Sequence, residues 1–118
     1  MASAHRIEIR PATAADIADF YGERQRATLQ AVMVIKDGAP VGVIGLKHGY
    51  GRLVLFADQR PELGADVVAF AVRRAILDML RRALRSKLPL FSVAEPDSDV
   101  LPRLGFERVC GDLYRWPS

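Results

Sequence analysis

The amino-acid sequence predicts an α/β (α+β) fold, in which a mixed, mostly antiparallel sheet of six to seven strands is flanked by helices. Three observations carry this. Short apolar runs alternate with turn residues such as Asp37-Gly38, Gly49-Tyr50-Gly51 and Gly111-Asp112. A single long stretch, Ala65 to Arg85, instead has apolar residues at the spacing of one helix face. The order that results is strand, helix, three strands, helix, strand, short helix, two strands. At 118 residues, 50% hydrophobic and 26% charged, the chain reads as one domain spanning residues 1–118.

Arg6-Ile7-Glu8-Ile9-Arg10 alternates with period two, so Ile7 and Ile9 face a core, and Pro11 ends the strand. Thr13 is a helix N-cap, Asp16 lies three residues on as in a capping box, and Ile17 with Phe20 or Tyr21 supplies the buried face of a short helix ending near Gly22. Thr28 to Ile35 and Val41 to Leu46 flank the Asp37-Gly38 turn as a hairpin, and Leu53 to Phe56 follows as a strand covered on both faces. Asp58 through Gly64 interrupts the pattern. In the long helix Val68, Val72, Ile76, Met79 and Ala83 mark the inner face, with Arg74–Asp78 and Asp78–Arg82 as outer i,i+4 pairs. Leu88 to Ala94 is a buried strand, Pro96-Asp97-Ser98 opens a helical turn closing at Gly105, and Phe106 to Cys110 pairs with Leu113 to Trp116 in a final hairpin.

Composition narrows the function classes. The single cysteine, Cys110, has no internal disulfide partner, and no Cys/His cluster has metal-ligand spacing. His5 and His48 are isolated and read as surface residues. With no apolar stretch of roughly 20 residues and no signal-peptide core at the N-terminus, the expectation is a cytoplasmic protein without a membrane segment. The net charge of +3 comes from fourteen arginines against three lysines. Arg73, Arg74, Arg81, Arg82 and Arg85 read as a solvated face; Asp78 interrupts them and no aromatic residues interleave, so nucleic acid is not the expected partner.

The element order, together with Ile7-Glu8-Ile9-Arg10-Pro11-Ala12 at the start, Gly38-Ala39-Pro40-Val41-Gly42 at the central hairpin and Leu104-Gly105-Phe106 near the end, resembles the Gcn5-related N-acetyltransferase (GNAT) family over nearly the whole chain. The resemblance implies acetyl-coenzyme A as cosubstrate, a primary amine as acceptor and direct attack of the amine on the thioester, with no metal. It implies that Phe56 and Ala57, with Gln59, Arg60, Leu63, Gly64 and Ala65 of the segment corresponding to the family's pyrophosphate loop, bind the cofactor, Gly64 lying at the start of the long helix. The strands at Leu53 and Leu88 should then be adjacent and parallel, splaying around the cofactor. Asp58 and Glu95, just after those strands, are the candidate bases.

Three departures from the family pattern bear on activity. The loop lacks a central glycine, Pro61 removes an N–H donor, and Glu62 and Asp66 add negative charge. Only fifteen residues lie between Pro11 and Ala27, where the family commonly has two helices, so the acceptor cleft is expected to be open, edged by Tyr21 to Arg26, or completed by a second subunit as a homodimer. Counting back from Gly105 puts Leu101 where the family often has a tyrosine that protonates the leaving thiolate, which leaves Ser98 as the nearby hydroxyl; Tyr114 reads as a core or edge aromatic. These departures keep open a second function, a binding or structural module that has lost activity. The short, Arg- and Ala-rich chain with Arg60-Pro61-Glu62 in its loop also resembles phage and prophage members of the family, which implies a virion-related or host-modifying role.

Overall fold

A computed structural model describes residues 6–24, 28–95 and 98–117. The alternating segment forms β1 (Ile7–Pro11), with Ile7 and Ile9 against the core. Helix α1 (Ala14–Tyr21) starts in a complete capping box: the Thr13 hydroxyl accepts from the Asp16 N–H at 3.1 Å, and the Asp16 carboxylate accepts from the Thr13 N–H at 2.9 Å. Those hydrogen bonds, the backbone one first, hold the Asp16 carboxyl below its ordinary range. Of the segment expected to edge an acceptor cleft, Gln25 and Arg26 lie outside the described residues.

Strands β2 (Thr28–Lys36) and β3 (Ala39–Gly49) meet at Asp37 and Gly38, both with positive φ, as the Asp-Gly pair requires of a tight hairpin. Strand β4 (Arg52–Gln59) is longer than its apolar run, because β3 carries the ladder on to the pairs Val43↔Asp58 and Gly42↔Gln59. Asp58 and Gln59 therefore belong to the strand and not to the loop after it.

The helix expected from Ala65 begins later. Residues Pro61–Val68 form a 3₁₀ segment broken at Gly64 (φ 52°, ψ −133°), and Ala69 is extended before α2 (Phe70–Ser86) starts. Two non-helical residues in this stretch prevent one continuous helix. The buried face of α2 is Val72, Ala75, Met79, Leu80 and Ala83, close to the stripe read from the sequence; the Val68 side chain lies outside the described set. Asp78 pairs with Arg81 at 3.6 Å, one helical turn away, in place of the i,i+4 pairs expected. At such exposure that pair contributes at most about 1 kcal/mol.

Strand β5 (Leu90–Val93) begins just after Pro89, and α3 (Val100–Leu104) starts two residues after Ser98, Pro96 and Asp97 lying outside the described residues. Strands β6 (Glu107–Cys110) and β7 (Leu113–Arg115) close the chain. Gly105 ends α3 at φ 113°, and a Cβ there would stand 3.1 Å from the Trp116 ring, which packs edge-on against Phe106. Both its conformation and that close approach call for glycine in the Leu-Gly-Phe sequence.

All seven strands share one sheet in the order β1-β2-β3-β4-β5-β7-β6. Every neighbouring pair is antiparallel except β4 and β5, which run parallel with Leu53 opposite Leu90, Val54 opposite Phe91 and Leu55 opposite Ser92. Helix α2 covers one face through a core that includes Leu46, Leu53, Leu55 and Met79, and α1 covers the other through Ile17, Met33, Ile35 and Val43. Each such buried side chain contributes roughly 1.5–3 kcal/mol. Among the described residues no helix is long and apolar enough to cross a membrane.

Candidate functional site

The β4–β5 ladder stops at Leu55 and Ser92, and the hydrogen bonds on either side explain why. The Arg60 N–H donates to the Val41 carbonyl at 2.8 Å, which keeps the end of β4 on β3. The Ala94 N–H donates to the Asp112 carbonyl at 2.8 Å, which draws the end of β5 toward β7. Each strand follows its outer partner, so the two separate. At the point of parting the buried Ser92 hydroxyl donates to the Leu55 carbonyl at 2.7 Å.

Backbone parity determines which groups face the opening. The Leu53 N–H donates toward β5, to Pro89 O at 2.9 Å, and the Arg60 N–H donates toward β3, so odd residues of β4 turn their polar groups to β5. Ala57 and Gln59 thus present N–H groups beyond the last rung. On β5 the Ala94 N–H is turned to β7, so Val93 turns its carbonyl into the opening. The resulting cleft measures about 690 Å³. Its walls are Phe56 to Gln59 and Ser92 to Glu95, and Ile44, Leu55, Ile76, Leu101 and Leu104 make the interior apolar.

Six residues singled out from the sequence come together here: Asp58, Glu95 and Ser98, with Phe56, Ala57 and Gln59. Arg60, Leu63, Gly64 and Ala65 are not among the lining residues. Arg60 has even parity and turns to the α1 side, where its guanidinium lies 4.6 Å over the Phe20 ring and donates to the Pro40 and Phe20 carbonyls at 3.2 and 3.3 Å. Leu63 is 2% exposed in the main core, where burial of its isobutyl group holds it. Gly64 and Ala65 are exposed in the 3₁₀ segment, so Gly64 is not the first residue of the long helix; its φ, with nothing within 4 Å of a Cβ, makes it a conformational glycine. Of the two added acids, Asp66 is neutralised by Lys36 at 2.7 Å.

Two contacts at the cleft had no clear signal in the sequence. The Tyr21 hydroxyl donates to the Asp58 carboxylate across the α1–β4 boundary. Burial, then the hydrogen bond and the negative charge of Asp58, push the Tyr21 phenol well above its ordinary value of 10. The Ser92 contact at the apex of the splay is the other; a serine within an apolar run was its only trace. Leu101 is 8% exposed and sits in the cleft interior. The Ser98 hydroxyl oxygen accepts from the Val100 N–H at 3.3 Å, which leaves its own proton for another acceptor. Among the described residues no three His, Cys, Asp or Glu side chains gather as a metal site.

No family model and no curated protein matches the chain. A solved structure that is similar is that of PaiA N-acetyltransferase from Thermoplasma acidophilum in complex with coenzyme A, with a TM-score of 0.52 and 13% identity. The similarity covers 85% of this chain and 64% of that one, so this chain spans less than two thirds of the neighbour's length. A single parallel pair inside an otherwise antiparallel seven-stranded sheet, opening into a cleft between those two strands, agrees with that likeness. The chain has the fold of the GNAT acetyltransferases.

Proposed function

We propose that the chain is an N-acetyltransferase that takes acetyl-coenzyme A into the cleft between β4 and β5 and transfers the acetyl group to a primary amine. The observation that carries this reading is the parting of the two strands beyond Leu55 and Ser92, which leaves an apolar slot with strand backbone on both sides. A pantetheine arm is a narrow chain of alternating amides and methylenes, and such a slot accepts it as an added strand. The Gln59 N–H and Val93 carbonyl meet its amides, while the Ala57 N–H, first past the last rung, reaches the thioester oxygen. The neighbour's bound coenzyme A supports this ligand class at the level of the fold.

In this arrangement the amine nitrogen attacks the thioester carbonyl carbon, the Ala57 N–H stabilises the negative charge that develops on oxygen, and the C–S bond breaks to release the thiolate. Asp58, adjacent to Ala57 and turned to the α1 side, takes the amine proton; Glu95 on the opposite wall is the other acidic residue lining the cleft. The Ser98 hydroxyl can donate a hydrogen bond to the thiolate, which takes its proton from solvent. Titration calorimetry with coenzyme A and acetyl-coenzyme A tests the reading. The parent should bind both, and Ala57→Trp, which fills the slot, should lose binding while keeping its circular dichroism spectrum. A parent that binds neither sinks the proposal.

A second reading, a module that holds the thioester without transferring its acyl group, is favoured by one observation: the place of the family's thiolate acid is the buried aliphatic side chain of Leu101. Binding without turnover against primary amines distinguishes it from the first.

A further inference from the structure

We infer that Tyr21 is a positioning residue for Asp58, acting through its hydroxyl; this rests on the reading of Asp58 as the base of the proposed transfer. Tyr21 is the last residue of α1, and its hydroxyl donates to one oxygen of the carboxylate of Asp58, a residue in the cleft wall. A carboxylate on a strand end otherwise has a free χ2 rotation, and the bond removes that freedom while leaving the second oxygen for an amine proton.

The tyrosine is itself held through its neighbour Phe20. Its ring meets Phe20 edge-on at 5.1 Å. Phe20 lies under the Arg60 guanidinium at 4.6 Å, and Arg60 donates to the Phe20 carbonyl, one of the acceptors left open at the end of α1. Asp58 and Arg60 sit two residues apart on the same face of the β4 end, so both side chains reach α1 at adjacent residues. The end of the helix is clamped to the strand that carries the base. The connection from β1 to β2 is short, and α1 is the one helix between those strands among the described residues. The clamp thus gives the base a fixed wall on the acceptor side.

The test uses the whole chain and four proteins: the parent, Tyr21→Phe, Asp58→Asn and the double variant. Each is assayed with acetyl-coenzyme A and a panel of probes, namely an alkylamine, a diamine and a lysine-containing peptide. Calorimetric affinity for coenzyme A and the thermal midpoint are measured alongside. Tyr21→Phe keeps the ring and its packing, so the fold and coenzyme A affinity should stay as in the parent. Its kcat should fall by about tenfold to a hundredfold with little change in KM for acetyl-coenzyme A, the size expected when a reacting group is misplaced.

The decisive comparison is non-additivity: in the Asp58→Asn background, Tyr21→Phe should cause no further loss of kcat, whereas a tyrosine that only stabilises the fold would act equally in both backgrounds. Equal losses in both backgrounds, or a full kcat in Tyr21→Phe when Asp58→Asn is impaired, overturn the role of Tyr21 and leave the transferase reading standing. Full activity in Asp58→Asn overturns Asp58 as base and Tyr21 with it. A parent that transfers to none of the amines overturns the transferase reading itself. Should Tyr21→Phe melt early, the same cycle with Tyr21→Trp at a temperature below its midpoint decides by the same non-additivity.

Discussion

The Tyr21 phenol is half-buried beside a carboxylate, and both conditions favour its neutral form, burial more than charge. This couples stability to alkaline pH in a definite direction. The folded-state value lies above the ordinary value of 10, so between the two the unfolded chain has released a proton that the native chain still holds. The unfolded state then binds fewer protons, and stability falls as pH rises; below pH 10 the contribution is fully present. Urea denaturation from pH 8 to 11 should show the parent losing stability above pH 10 more steeply than Tyr21→Phe, which has no phenol at that site. Identical slopes would mean that the hydroxyl is not held in solution as it is here. Neither Tyr21 nor Asp58 carried a local signal of their contact. An aromatic at the end of an amphipathic helix and an acid after an apolar run are ordinary features, and 37 residues separate them.

Helices and strands were legible wherever a local pattern decided them. Period two gave β1, the capping box gave α1, and Asp-Gly gave the β2–β3 turn. The approach to α2 was misread, because its apolar residues keep a helical spacing through a segment that Gly64 and Ala69 break. What fixes this segment comes from a distant strand. The Lys36 ammonium, 16% exposed at the end of β2, donates to the Glu62 carbonyl at 2.8 Å and the Leu63 carbonyl at 3.4 Å, and pairs with Asp66. Its charge satisfies acceptors that a 3₁₀ segment leaves open and holds Leu63 in the core. Lys36→Met keeps the length of the side chain but removes all three contacts, leaving Asp66 without its partner. The expected cost is about 1–3 kcal/mol. A lowered denaturation midpoint, with increased amide exchange confined to residues 61–69, would confirm it. Exchange raised evenly over the whole sheet would show that Lys36 supports the fold generally rather than this segment.

At the scale of the whole molecule, the sequence pattern yields the order of elements along the chain, while the parallel pair and its splay are expected only from the family resemblance. The separation of β4 from β5 depends on Arg60 bonding to Val41 and Ala94 to Asp112, pairings between segments that no local window contains. The six lining residues identified from the sequence owe their place to the parallel pair expected from the family resemblance, whereas Arg60, Leu63, Gly64 and Ala65 lie outside that lining, Arg60 by side-chain parity and Leu63 by burial in the core. That division predicts how the ligand's parts contribute. In the proposed function the cleft supplies strand backbone and apolar surface to a pantetheine arm, but the following segment begins with Pro61, carries Glu62, and meets α2 at Ala69 without a side-chain cap. A nucleotide end therefore finds fewer donors than the arm does. At a hundredfold its dissociation constant coenzyme A should stabilise the protein by about 2.7 kcal/mol, which for a chain of this length raises the melting temperature by about 10 °C. Pantetheine at the same multiple of its own dissociation constant should give a similar rise, with an affinity within about tenfold of that of coenzyme A, while adenosine 3′,5′-bisphosphate should give almost none at millimolar concentration. A strong shift with the bisphosphate and none with pantetheine would move the ligand out of the splay and onto the 3₁₀ segment. Melting temperatures unchanged by all of them would remove the thioester ligand altogether.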